Sequence, residues 1–270
     1  MLQLSRPLSK DYRRGPELES VPRMPLKQMK PVRLASLIAC LAALPESLHA
    51  QAGRSEAVNW ARAATPFSRF PMPIPKSGPG ALHLQILLDR AHFSPGVIDG
   101  EWGRNAARAL AFFASPSTKG RFSGGTPELP TTMDKTTYER LRSAGGDGPV
   151  FVRYRVTPSD VAGPFTAIPE LVYDQAKLGC LCFSSPLEAL SEKFHVTETL
   201  LAELNPRVNL ARVTAGTELT VPNVLSENVA SSMDTVIVAK IIISKSGSWT
   251  HAVDADGNLL AHYPSTLGAG

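Results

Sequence analysis

The chain has 270 residues, 43% of them hydrophobic, with 23 prolines and 20 glycines, which suits several small cores separated by turns. Of 28 basic and 24 acidic residues, eight and four fall within residues 1–52, so twenty of each remain beyond it and the formal charge of +4 belongs to the leader. A formally neutral body lacks the basic face that nucleic-acid binding requires, and no nucleic-acid partner is expected.

Residues 1–52 have the order of a secretory leader. Met29-Lys30-Pro31-Val32-Arg33 is a short basic region, and Met29 is the expected start. Residues 34–44 are apolar apart from Ser36, Pro45 breaks the helix, and Ala50-Gln51-Ala52 is a small-x-small cleavage site. The apolar run is too short for a stable membrane span, so no span is expected once the leader is cleaved. A buried core helix could use the same run, but the basic flank and cleavage site in this order favour export. Leu37-Ile38-Ala39-Cys40 also fits a lipoprotein box, which leaves lipidation at Cys40 as a minor alternative. The expected location is secreted, in the periplasm or cell envelope.

Residues 53–79 carry Pro66, Pro71, Pro73, Pro75 and Pro79 and read as an extended linker. Leu84, Leu87, Leu88 and Ala91 then recur at helical spacing, giving one apolar face. Pro95-Gly96 and Asp99-Gly100 are turn dipeptides. A second helix places Ala106, Ala109, Leu110 and Phe113 on one face, and a third starts after Asp134, a good N-cap, and carries Tyr138 and Leu141. The run Leu84-Gln85, Leu88, Phe93, Asp99-Gly100-Glu101-Trp102-Gly103, Ala109-Leu110 and Phe113 resembles the three-helix peptidoglycan-binding domain over residues 80–143. Asn105-Ala106 stands where that family often has threonine, and Ala114 where glutamine often follows the phenylalanine. The resemblance implies substrate-binding roles for Asp99, Gly100 and Trp102. Turn chemistry is favoured over direct ligand contact for Asp99 and Gly100, and Trp102 suits stacking on a sugar and packing in the core equally.

Gly145-Gly146-Asp147-Gly148 marks a boundary, and the alternation in residues 151–156 reads as a strand within a β linker, 150–177. Cys180 and Cys182 form neither a disulfide framework nor a zinc site and read as two half-buried thiols. Ser185-Pro186-Leu187-Glu188 has the form of a capping box, followed by Leu187, Leu190 and Phe194 at helical spacing. Thr197 can cap a second helix whose buried face is Leu200, Leu201 and Leu204, ended by Asn205-Pro206. A turn at residues 215–217 leads into a strand over 218–222. Leu187, Leu190, Asn205-Pro206, Gly216, Leu219, Val221 and Pro222 resemble a LysM module over residues 178–224, with its opening Gly-Asp-Thr missing. That resemblance adds Asn205 to the substrate-binding residues; a spacer role is the alternative.

Residues 236–243 are rich in β-branched side chains, 249–253 read as the next strand, and Asp256-Gly257-Asn258 as a hairpin turn before 259–263. The stretch from Asp254 to Gly268 resembles the opening hairpins of the L,D-transpeptidase catalytic domain, which both preceding modules commonly precede. The implied fold class is a multi-module α+β chain: a three-helix peptidoglycan-binding domain, a βααβ LysM-like domain, and over residues 234–270 the start of an all-β catalytic domain.

That family uses a cysteine nucleophile within Ser-His-Gly-Cys-x-Arg, with a nearby histidine that helps form the thiolate. Neither this motif nor its companion His-Gly occurs in the 270 residues. Cys180 is not assigned catalysis, and His251 and His262 read as isolated surface histidines. No catalytic residue, metal or cofactor is expected; the partner is peptidoglycan. The expectation is therefore the exported, wall-binding part of an L,D-transpeptidase-family protein acting in murein cross-linking, inactive as it stands and truncated within its last domain. A stand-alone anchoring protein and a domain completed by another chain are the alternatives. A barrel-like fold with only its first strands would leave residues beyond about 234 poorly packed.

Overall fold

The computed structural model describes residues 58–115, 125, 127–224 and 237–266. The signal-peptide expectations, including Met29, Cys40 and the cleavage site, lie outside the described residues. All the described residues belong to one unit, 54–270.

Three helices make the first bundle: α1 (Pro79–Arg90), α2 (Arg104–Ala114) and α3 (Lys135–Ala144). Pro79 sits at the start of α1, where its missing N–H costs nothing. The spacing predicts one apolar face for α1, but the structure buries it almost all round: Leu82, Leu84, Ile86 and Leu88 are each 0% exposed. The reason lies in the segment before it. Residues 58–79 are not a free linker. They hold a 3-10 turn, Trp60–Ala64, and a short strand β1 (Met72–Pro73) that pairs with β2 (Thr132–Met133). Ala63 and Ile74 are buried, and Phe67 and Phe70 pack their rings against Tyr138. Buried His83 ties this wrap to α3, its ring nitrogens bonded to the Ala63 carbonyl (2.7 Å) and the Tyr138 hydroxyl (2.9 Å). The prolines keep the segment extended, and its aromatic residues dock it.

Helix α3 begins as its sequence predicts, Asp134 accepting the Thr137 N–H at 2.9 Å. Beyond it, Arg90 from α1 is 2% exposed and its guanidinium donates to the carbonyls of Gly145 (2.6 Å), Gly148 (3.0 Å) and Gly146. One buried side chain thus shapes the glycine-rich turn that leaves the bundle.

The second module is built on β3 (Phe151–Arg155), which pairs antiparallel with β4 (Glu218–Pro222), Tyr154 opposite Leu219. Between them come a single-turn helix, α4 (Val172–Gln175), then α5 (Pro186–Lys193) and α6 (Glu198–Leu204). This moves a boundary. The strand in the presumed β linker is the first strand of the βααβ unit, and residues 178–184 contain no strand. Residues 156–185 are an insertion between β3 and α5. Cys180 and Cys182 are joined there as a disulfide, not held as separate thiols, and Cys180 is exposed.

Capping follows sequence closely. Thr197 accepts the Leu200 N–H, and Ser185 accepts that of Glu188. Glu188 returns to the Ser184 N–H, one residue before the position that a closed capping box uses. A closed box forms instead at Thr157 and Asp160. Asp160 also accepts from Tyr154 (2.6 Å) and Lys193 (2.8 Å), fastening the insertion to α5. Burial pushes the Asp160 carboxyl up, but these donors outweigh it and bring it down to about 2.

Strands β5 (Lys240–Ser244), β6 (Trp249–Val253) and β7 (Leu259–Pro264) form an antiparallel meander. Contrary to the expected poor packing, β6 and β7 are sealed against α2: Trp249 is 2% exposed and Phe112 packs on Trp249, His251 and His262. Strand β5 keeps Ile241 and Ile243 in solvent, and β7 its Tyr263.

Candidate functional site

The segment between α1 and α2 holds these parts together. Its start pairs with β7: Ser94 N–H donates to the His262 carbonyl (2.8 Å) and His262 N–H to the His92 carbonyl (2.9 Å). Its end pairs with the α5–α6 connection: Ile98 N–H donates to the His195 carbonyl (2.7 Å) and Thr197 N–H to the Ile98 carbonyl (3.2 Å). The seven residues from His92 to Ile98 therefore join the bundle, the βααβ unit and the last sheet.

The residues expected to bind substrate have internal duties. Asp99 accepts from the Gln85 amide (2.9 Å) and from its own turn at Glu101 N–H (2.8 Å). The Gly100 N–H donates to Gln85 Oε1 (2.8 Å), so Gln85 grips the Asp-Gly turn from both sides. Gly100 lies at φ 78°, and an added Cβ would stand 2.6 Å from the Trp60 ring. Gly100→Ala is therefore expected to cost about 2 kcal/mol through left-handed strain and displacement of Trp60, read as a lower urea midpoint. Trp102 is half-buried and packs against the core. Asn205 is buried, bonding the Leu201 carbonyl and both backbone groups of Thr220, and so locks α6 to β4. The structure does not bring these four residues to one surface site.

It gathers a different set. A cleft of about 620 Å³ opens where α1, the following loop, α5 and β7 meet. Helices α1 and α5 both end beside it on a histidine with positive φ, His92 (63°) and His195 (56°), where glycine is usual. His195 Nδ1 lies 3.0 Å from each carboxylate oxygen of Asp89. That bond raises the His195 pKa; burial opposes it, and the charges of Asp89 and Glu192 add to it. Burial pushes the Tyr263 hydroxyl up, and Asp89 adds to this. Two polar atoms in the cleft wall, Ser191 Oγ and His92 Nε2, are buried without a hydrogen bond in the protein.

This chemistry favours holding a ligand. The Ser191 hydroxyl has no base bonded to it and is not an activated nucleophile. Among the described residues no group of three or more His, Cys, Asp or Glu is placed to hold a metal ion. No described helix is long and apolar enough to cross a membrane.

His251 and His262 are not the surface residues their strands suggested. They are 0% and 1% exposed, and share a 2.8 Å hydrogen bond between their rings. Burial holds both pKa values down: His251 to about 3, with His262 adding, and His262 to about 4, with Arg108 adding. Alternation within β6 could have revealed this, since Trp249, His251 and Val253 share a face. No sequence signal links Asp89 to His195 or Ser191 to His92. Compared with models of protein families and with curated proteins, the chain matches none.

Proposed function

We propose that this chain is the exported, peptidoglycan-binding part of an L,D-transpeptidase-family protein, acting in cell-wall cross-linking by holding the protein to murein. The observation that carries the reading is the pairing of β3 with β4 around α5 and α6, the βααβ order that the LysM resemblance implies. The Gln85 grip on Asp99-Gly100 supports the three-helix resemblance, because it gives that motif a folding role inside the bundle. The 270 residues contain neither His-Gly nor Ser-His-Gly-Cys-x-Arg, so binding is proposed for them and catalysis is not.

The test is co-sedimentation with purified sacculi. Retention that soluble muropeptides compete away is the expected result. Recovery of all the protein in the supernatant would sink the reading.

A further inference from the structure

We propose that the Cys180–Cys182 disulfide is an exchange centre, which passes its bond to a cysteine-bearing peptide segment held in the apolar groove beside it. The inference goes beyond wall binding and does not rest on it.

The disulfide has no stapling duty. It closes over a single residue, Leu181, so both cysteines lie in one stretch of the 156–185 insertion and the bond ties no two elements together. So short a loop has little closure entropy to remove, and the bond adds little to stability. It is also within reach. Cys180 is exposed and Cys182 is half-buried. Exposed disulfides are the labile, reactive class, open to attack by a thiolate.

The surroundings select the partner. Cys182 lines a second groove of about 620 Å³, together with Pro164, Phe165, Leu181, Phe183 and Ala189. That volume is within the usual range for ligand sites, about 300–1,000 Å³. Leu181 is 67% exposed and Phe183 42%, and Leu171, Val172 and Tyr173 of the same insertion also stand in solvent. Large apolar side chains gathered on one loop mark a place where another chain docks. The occupant that fits is an extended peptide whose cysteine has apolar neighbours. A small polar thiol leaves the groove unfilled. The groove does not depend on the disulfide for its shape. Thr166 N–H donates to the Phe183 carbonyl (3.0 Å) and joins the two limbs of the insertion, and Lys193 holds Asp160 at 2.8 Å.

The step balances without a further reagent. A thiolate of the bound peptide attacks Cys182, the member that lines the groove. The bond to Cys180 breaks, and its electron pair leaves on the Cys180 sulfur, which takes a proton from water. The peptide's second thiolate then attacks the peptide sulfur of the mixed disulfide, and Cys182 leaves as a thiolate and is protonated. The peptide loses two electrons and two protons, and the protein gains both. One bond passes per chain, so the transfer is stoichiometric and separate from transpeptidation.

The oxidised full chain, mixed with a reduced peptide carrying two cysteines flanked by leucine and phenylalanine, tests this. The same peptide with serine flanks is the comparison, with alkylation quench and mass spectrometry as the readout. One peptide disulfide and two alkylated protein cysteines per chain are expected, with the trapped adduct on Cys182. The apolar peptide should react about ten-fold faster than its serine counterpart. Leu181→Ser and Phe183→Ser change exposed side chains, so both should fold, and together they should bring that ratio near one. Reduction of the disulfide should lower the melting temperature by less than about 3 °C. No peptide disulfide, equal rates for the two peptides, an adduct on Cys180 alone, an unchanged ratio in the double variant, or a larger fall in melting temperature overturns the inference.

Discussion

Arg90→Ala is expected to lower the unfolding free energy by about 3 kcal/mol, the largest loss for a single side chain outside the apolar core. The guanidinium is buried against the turn that follows α3, and its donors satisfy the carbonyls of Gly145, Gly146 and Gly148. Truncation leaves the buried Gly145 carbonyl without its donor and opens a void where the side-chain stem packs. The loss stops short of the largest values because Gly148 lies in an exposed part of the turn, where water can replace the lost bond. Lysine should not rescue: a point charge cannot reach three diverging carbonyls as a planar fork does. Urea unfolding of both variants checks this. An Arg90→Lys protein as stable as the parent would show that charge, not the fork, is what the turn needs.

Acidification should loosen the last sheet through His251 and His262. Both have folded pKa values depressed below the ordinary 6.5, to about 3 and about 4. Between those values and 6.5 the unfolded chain binds more protons than the folded one. Their contribution is therefore fully present above pH 6.5 and is lost as pH falls toward about 4, at up to about 1.4 kcal/mol per pH unit for each histidine. The cause is geometric. The two rings touch each other and pack on Phe112, and Arg108, which donates to the Gly247 carbonyl, adds positive charge nearby. A proton there has poor solvation and like-charged company.

Other titrating groups separate cleanly from this effect. Asp160 has a folded pKa of about 2, so its contribution is full above the ordinary 3.8 and is lost as pH falls from there toward 2. His195 runs the other way: its folded pKa is raised by Asp89, so its contribution is full below 6.5 and is lost as pH rises through the raised value. Acid should thus release the β6–β7 sheet while the α1–α5 joint holds. Hydrogen exchange at β6 and at Ile98, followed from pH 7 to pH 4.5, reads the two joints independently. Protection at β6 that is unchanged over this range, or an equal slope in His262→Gln, would sink the prediction.

How far the amino-acid order alone carries can be judged residue by residue. Asp134, Ser185 and Thr197 announce their helices because an N-cap bonds an N–H only three residues on. The hairpin turn at Asp256-Gly257 is equally local, with Asp254 accepting the Asn258 N–H and Gly257 at φ 83°. Leu190, Leu200, Leu201, Leu219 and Val221 fall on the buried faces that their periodicity predicts.

Pairing over distance is a different matter. Tyr154 lies opposite Leu219, and nothing near either residue identifies the partner, so β3 reads as part of a linker until the sheet is seen. The proline-rich stretch before α1 belongs to the bundle because Phe67 and Phe70 meet Tyr138, about seventy positions later. The cleft lies at the far end of this scale. Asp89 and His195 are 106 positions apart, and their meeting depends on the backbone of Ile98 having paired with the α5–α6 connection. Sequence by itself determined the helices, caps, turns and apolar faces, since each depends on contacts within a few residues. Tertiary structure alone decided which strand pairs with β4, that Phe67 and Phe70 dock on α3, and that Asp89 meets His195, because those outcomes depend on where separate elements come to rest.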